Sequence, residues 1–169
     1  MAGPAVVRET TLGDRPAVRE LRRRVWHKTY SDTWSHELID SLFDGEVELI
    51  SGRNPEWQEP YIGRVATIDG ATVGTATAGV LPDGEGELIA LYVLPAYHGS
   101  GVAQQLWEEV VQALRLRGCT AMQIWVVANN PRAIAFYEKL GSVAFSSGTV
   151  HVGGIGAQSV GYRFTFPPG

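Results

Sequence analysis

Hydrophobic and polar positions along the chain follow two patterns, one typical of helices and one typical of strands. Apolar residues at helical spacing and favourable caps predict helices over residues 14–28, 35–43, 101–117 and 131–140. Runs of apolar and β-rich residues predict strands over residues 5–10, 61–68, 72–80, 87–94 and 120–127, and two more within 142–166 around residues 153–156. Residues 52–60 are polar and contain proline, which indicates a loop.

Local residue chemistry sets the expected ends of these elements. Asp14 and Ser35 are suitable N-caps, and Asn130 can cap a helix that Pro131 begins. Asp69-Gly70 separates two β-rich runs and favours a tight hairpin, because glycine permits a positive φ. The resulting order, β-α-α-β-β-β-α-β-α-β-β, predicts an α/β (α+β) fold in a single domain over residues 1–169. We expect a mixed sheet of about seven strands flanked by about four helices.

Composition limits the classes of function. The 169 residues are 44% hydrophobic and 19% charged, as in an ordinary globular domain, and the net charge of −4 gives no sign of a nucleic-acid partner. Residues 22–24 are three arginines in a helical pattern, which predicts a solvated helix face. Cys119 excludes an intramolecular disulfide and is expected in the core. No apolar run approaches the ~18 residues of a membrane span, and no leader is apparent, so we expect a cytoplasmic protein.

A glycine-rich turn follows the apolar strand that ends at Pro95. Gly99 and Gly101 directly precede the amphipathic helix, whose first backbone N–H groups have no partner within the helix and favour an anion. Taken alone, the turn indicates either an anion site or a simple tight connection. It lacks the Gly-Lys-Ser/Thr ending of a nucleotide P-loop, and Gln104 occupies the third glycine position of a dinucleotide fingerprint.

The wider context of this turn is more specific. Leu91-Tyr-Val-Leu-Pro95, followed by His98-Gly-Ser-Gly-Val-Ala103, resembles motif A of the GNAT superfamily of acyl-CoA-dependent N-acyltransferases. About thirty residues further on, Asn130-Pro-Arg-Ala-Ile-Ala-Phe-Tyr-Glu-Lys-Leu-Gly141 resembles motif B of that family. The resemblance implies an N-acetyltransferase in which an amine directly attacks acetyl-CoA in a ternary complex. A non-catalytic acyl-CoA-binding regulatory module is the alternative.

The resemblance also implies which residues contact the coenzyme. By position in the two motifs they are Leu91, Tyr92, Val93, His98, Gly99, Ser100, Gly101, Val102, Ala103 and Asn130. Acetyl-CoA would be the co-substrate, and no metal is expected. His98 stands where the family usually has Arg or Gln, so we expect coenzyme binding to depend mainly on backbone donors.

Three residues are candidates for the chemistry. Tyr137 lies where the family often protonates the departing thiolate, and its alternative role is core packing. Glu87 starts the motif A strand, where several members carry a glutamate that acts as a base through a water; the alternative is an exposed residue at a strand start. Strand alternation would place Glu87 on one face with Leu91 and Val93. Glu85 is a second candidate base.

The acceptor should lie opposite the coenzyme, between the first two helices and the late hairpin. The candidate residues there are Trp26, Tyr30, Asp32, Trp34 and His36. Aromatic walls and one carboxylate could hold an amine, although the tryptophans could equally be core. The sequence does not identify the small-molecule or peptide amine. His27, His36 and His151 have no metal-ligand spacing. A homodimer paired through the C-terminal strands is possible.

Overall fold

The protein is represented by a computed structural model, which describes residues 3–43, 58–152 and 154–169. Within these residues the strands are β1 (Val6–Glu9), β2 (Gln58–Ile68), β3 (Ala71–Val80), β4 (Gly86–Val93), β5 (Ala121–Val127), β6 (Val143–Val152) and β7 (Ile155–Thr165). The helices are α1 (Arg15–Tyr30), α2 (His36–Leu42), α3 (Val102–Leu116) and α4 (Pro131–Lys139). The predicted order of elements and the α/β class are confirmed.

The predicted loop over residues 52–60 is only partly covered by the structure. Residues 52–57 lie outside the described residues, and the prediction was wrong for residues 58–60, because they begin β2. The pairing of β2 with β3 shifts register between Gln58 and Ile62. Pro60 lies within that shift, where a strand can accept a residue that has no backbone N–H.

All seven strands form one mixed sheet in the order β1-β2-β3-β4-β5-β7-β6. β4 and β5 are parallel, and the other neighbouring pairs are antiparallel. Helix α3 packs on β2, β3 and β4, and Trp107 of α3 contacts the ring of Tyr137 in α4, so we call this side the α3 face. Helix α1 packs on β3 and β4 from the other side, the α1 face. The sheet therefore separates two layers of helices.

The hairpin between β2 and β3 forms as the sequence predicts. Asp69 and Gly70 have φ of 50° and 82°, which is the left-handed conformation required at both central positions of a tight hairpin turn. Any residue other than Gly, Asn or Asp would be strained there. The turn sets the register that brings β3 beside β4.

Asp14 stands at the N-cap position of α1, but its carboxylate does not cap that helix. It accepts two hydrogen bonds from the Arg8 guanidinium, both 2.8 Å long, and one of 2.7 Å from the Thr11 backbone N–H. The Arg8 hydrogen bonds are the main reason why the pKa of Asp14 is far below its usual range. The carboxylate thus ties β1 to the turn before α1.

The prediction that residues 22–24 form a solvated face was wrong for Arg22. Its side chain is 7% exposed, and Nη2 donates a 2.9 Å hydrogen bond to Thr77 Oγ1 in β3. Arg23 instead pairs with Glu20 and Asp40, and Arg24 is exposed. The helical pattern indicates which side faces inward but does not show that a long side chain lies flat along the sheet.

Candidate active site

Strands β4 and β5 pair over a short stretch and then diverge. The paired residues are Gly86 with Met122, Glu87 with Gln123, and Leu88 with Ile124. Beyond them, residues 88–93 of β4 and 124–127 of β5 line a cavity of about 1190 Å³. The edge of β4 that faces this gap has backbone donors and acceptors that β5 does not take up. An extended amide-containing chain can therefore bind there as an added strand.

The glycine turn forms one end of the cavity. Gly99 and Gly101 have φ of 77° and 92°, and a Cβ on either would find no atom within 4 Å, so the backbone is open to close approach. The first helical bond of α3 runs from the Gln105 N–H to the Gly101 carbonyl. The N–H groups of Val102 and the next two residues consequently have no helical acceptor. This arrangement favours a pyrophosphate on the backbone.

Not every predicted coenzyme residue reaches the cavity with its side chain. Leu91, Tyr92, Val93, His98, Gly99, Gly101, Ala103 and Asn130 belong to the lining. Val102 is 2% exposed and packs in the core, so it can contribute only its backbone. Ser100 donates its hydroxyl to the Tyr97 carbonyl and closes the turn. This arrangement fits a site in which backbone N–H groups contact the ligand, while side chains such as those of Ser100 and Val102 fix the conformation of the backbone.

His98 contributes little positive charge to the turn. Burial lowers the pKa of its imidazole, the charge of Arg132 lowers it further, and a hydrogen bond with the Val93 carbonyl partly opposes them. Arg132 also lines the cavity, at the start of α4. The cation beside the turn is thus an arginine from motif B. Sequence reasoning missed Arg132, although its place two residues after Asn130 was a usable signal.

A hydrogen-bonded aromatic cluster occupies the middle of the cavity. Asn130 caps α4 as predicted, with its side-chain oxygen accepting the Ala133 N–H at 3.2 Å. Its amide N–H donates to Tyr30 Oη of α1 at 3.2 Å. This hydrogen bond links the start of α4 to helix α1. Trp26 Nε1 donates to Tyr92 Oη at 3.1 Å. The phenol groups of Tyr30 and Tyr92 therefore link helix α1 to the start of helix α4 and to strand β4.

Tyr137 packs against Trp107 and Phe136, lies close enough to Tyr30 and Tyr92 to feel their charge, and lines the cavity. Its side chain is 6% exposed, and burial is the largest cause that raises its pKa, followed by Tyr30 and Tyr92. A phenol with the ordinary pKa of ~10 is already protonated at neutral pH, and the upward shift in the pKa of Tyr137 does not change this state. The hydroxyl is thus available as a proton donor, which is the state that the predicted role requires.

The predicted orientation of Glu87 was wrong. β3 and β4 change register between Thr77–Ala90 and Ala78–Leu88, so the strand bulges at residue 89. Leu88 packs in the core beneath α3, and Glu87 consequently lies on the α1 face with Tyr92, not with Leu91. Glu87 is 3% exposed and does not belong to the cavity lining. Glu85 forms an ion pair with Arg163 at 2.8 Å.

The predicted acceptor residues separate into two groups. Trp26 and Tyr30 line the cavity. Trp34 is 1% exposed, donates its indole N–H to the Ile155 carbonyl and packs in the core, while Asp32 is exposed and outside the lining. The wall that faces the gap from α1 is therefore aromatic.

Two of the histidines meet beside this wall. His27 Nδ1 and His36 Nδ1 are 2.6 Å apart, and His27 Nε2 lies 2.6 Å from Asp40 Oδ1, which ties α1 to α2. Sequence spacing gave no sign of this contact. In the described ranges, no group of three or more His, Cys, Asp or Glu residues could hold a metal ion. No helix in the described part of the chain is long and apolar enough to cross a membrane.

Comparisons with known proteins agree with this geometry. A family model described as the acetyltransferase (GNAT) family matches residues 15–142. An acetyltransferase of Yersinia pestis is 33% identical over 109 residues, which are 63% of this chain and 74% of the relative.

Solved structures share the fold. The PaiA N-acetyltransferase of Thermoplasma acidophilum, solved with coenzyme A, superposes with a TM-score of 0.77 at 19% identity, over 97% of this chain and 100% of that one. A protein of Salmonella typhimurium, solved with its cofactor acetyl-CoA, gives 0.68 at 16% identity, over 99% and 96%. The chain therefore belongs to the acetyltransferase (GNAT) family, and the predicted enzyme class, an acetyl-CoA-dependent N-acetyltransferase, is confirmed.

Proposed function

We propose that the protein transfers the acetyl group of acetyl-CoA to a primary amine by direct attack in a ternary complex. One observation carries the proposal: a single cavity joins the glycine turn to Tyr137 and the aromatic wall through the gap between β4 and β5. The pyrophosphate binds the N–H groups at the start of α3, and the pantetheine arm extends along β4. The thioester then lies near Tyr92 and Val93.

The residues around the gap fit the steps of the transfer. An alkyl ammonium with a pKa of ~10.4 must lose a proton before its nitrogen can attack. Glu87 is the proposed base, and it acts through a water because it lies outside the cavity lining, next to Leu88 of the lining and on the α1 face with Tyr92. A backbone N–H near Val93 stabilises the oxyanion. As the carbon–sulfur bond breaks, Tyr137 gives its proton to the thiolate.

Further parts of the proposal concern setting and assembly. The single cysteine, Cys119, is buried with a free thiol, which fits the reducing cytoplasm. β6 is an edge of the sheet and exposes Val143 and Phe145, at 68% and 48%, which supports a homodimer paired along that strand. No metal and no nucleic acid take part in the proposed reaction.

An amine panel tests the function. Purified protein is mixed with acetyl-CoA and primary amines of differing charge and shape, while release of the CoA thiol and binding of CoA are measured. We expect amine-dependent thiol release with at least one class of amine. Tight CoA binding without thiol release for any amine would contradict transfer and favour an acyl-CoA-binding module.

A further inference from the structure

A buried serine hydroxyl on β7 lacks a hydrogen-bond partner. Ser159 is 4% exposed and lines the cavity, yet its Oγ has no partner in the residues that the structure describes. Buried hydroxyls nearly always have a partner, and leaving one unpaired is costly. A polar group that is buried against a cavity and unpaired is well placed to bind a ligand.

The ring of Trp125 forms a flat surface next to this hydroxyl. A Cβ on Gly148 of β6 would lie 3.4 Å from Ser159 Oγ and 3.5 Å from the Trp125 ring. The hydroxyl and the indole therefore both lie next to Gly148. A Cβ on Gly161 would approach the same ring to 2.9 Å, so a larger residue there would displace the indole. Trp125 Nε1 donates to Gln123 Oε1 at 3.0 Å, which fixes the ring plane.

The surroundings of Ser159 on the α1 face are apolar. Val127 lies opposite it on β5, and Val150 and Ala157 pack with Val127 against the cluster around Trp26. Such a wall accepts an uncharged, flat group of a ligand. It disfavours a second charged group on that ligand, because the wall offers no polar partner to offset the cost of desolvating it. The hydroxyl adds one hydrogen bond to an otherwise apolar surface.

We propose that Trp125 and Ser159 select the acceptor: a primary amine with an aromatic body, which lies on the indole, and an uncharged hydroxyl or amide, which hydrogen-bonds Ser159 Oγ. This inference rests on the proposed function and names the chemical class of its acceptor. The amine end extends towards Tyr92 and Tyr137, and the body is held between the hairpin of β6 and β7 and helix α1.

Two probe amines that differ by one hydroxyl test the role of the serine. Tyramine and 2-phenylethylamine are titrated calorimetrically into the protein–CoA complex, in wild type and in Ser159→Ala. We expect Ser159→Ala to weaken tyramine binding about three- to tenfold and to leave 2-phenylethylamine within twofold. Ser142→Ala is the matched control, because Ser142 is also buried and its hydroxyl has no partner among the described residues, but it lies outside the lining.

A second variant tests the surface without removing the hydroxyl. Gly148→Val places methyl groups in front of Ser159 and Trp125, and a Cβ there meets only ordinary van der Waals contacts. We expect both probe amines to bind at least tenfold more weakly while CoA affinity stays within twofold. Thr149→Val, the next residue of the strand on the opposite face, should change neither.

Different failures would point to different errors. Tyramine affinity that is unchanged in Ser159→Ala, or spermidine that binds more tightly than tyramine, would overturn the selection proposed here. The proposed function would still stand if CoA bound and spermidine were acetylated. Absence of acetyl-CoA binding to the wild-type protein would overturn the proposed function and this inference together.

Discussion

The end of the cavity proposed for the coenzyme (the coenzyme end) is formed by backbone, whereas the end proposed for the acceptor (the acceptor end) is formed by side chains. At the first, glycines with positive φ and the open start of α3 present backbone N–H groups. At the second, rings from α1 and β5 and a lone hydroxyl on β7 form the wall. We therefore expect binding at the coenzyme end to depend on backbone conformation and binding at the acceptor end to depend on the identity of the side chains.

The residues between the two ends should have the largest effect on catalysis. Tyr137→Phe keeps the ring against Trp107 but removes the proton donor, so we expect kcat to fall about 100- to 1000-fold. The KM for acetyl-CoA should stay within about twofold. Tyr162→Phe is the control, since that tyrosine is buried but outside the lining. Unchanged kcat in Tyr137→Phe would remove this residue from the mechanism.

The bulge in β4 places Glu87, the proposed base, on the α1 face of the sheet, where the acceptor end lies. Glu87→Gln should lower kcat/KM about 100-fold and flatten its rise with pH, because the variant cannot take up a proton. Glu85→Gln should leave the profile unchanged, since Glu85 is paired with Arg163. The comparison is made on full pH–rate profiles. The reverse result, with Glu85 carrying the pH dependence, would assign the base to the turn before β4.

The coenzyme end should respond to backbone strain. Gly101→Ala forces an L-residue to a φ of 92°, and we expect acetyl-CoA affinity to fall about tenfold as the turn distorts. Gly84→Ala carries the same strain at a φ of 89° in a remote turn and should leave affinity unchanged. Calorimetry with CoA measures both. Equal losses in the two variants would indicate general destabilisation and not a phosphate cradle.

Side-chain charge at the coenzyme end should matter least. Arg132→Ala should raise the KM for acetyl-CoA about fivefold at low ionic strength, with the effect shrinking as salt is added. His98→Gln should change KM less than twofold at pH 7.5, because the lowered pKa leaves the imidazole neutral there. Steady-state kinetics at two salt concentrations separate these cases. A larger effect of His98→Gln would make the histidine, and not the arginine, the phosphate-binding side chain.

The same division explains what could be predicted from the sequence. Asp69-Gly70, the glycine turn and the cap at Asn130 depend on local conformational preferences, and each has the predicted form. The side on which Glu87 lies depends on a register shift against β3, and the burial of Arg22 depends on Thr77, far away in the chain. The unpaired hydroxyl of Ser159 depends on its neighbours across strands. No local pattern carries that information.

The backbone turn at the start of α3 is proposed to bind the pyrophosphate of the coenzyme. Calorimetric titration of the wild-type protein with CoA, dephospho-CoA and pantetheine tests it most directly. We predict that dephospho-CoA, which keeps the pyrophosphate, binds within about tenfold of CoA, and that pantetheine binds at least about 100-fold more weakly. In Gly101→Ala the difference in affinity between CoA and pantetheine should become smaller. Pantetheine binding as tightly as CoA would contradict pyrophosphate binding at the turn.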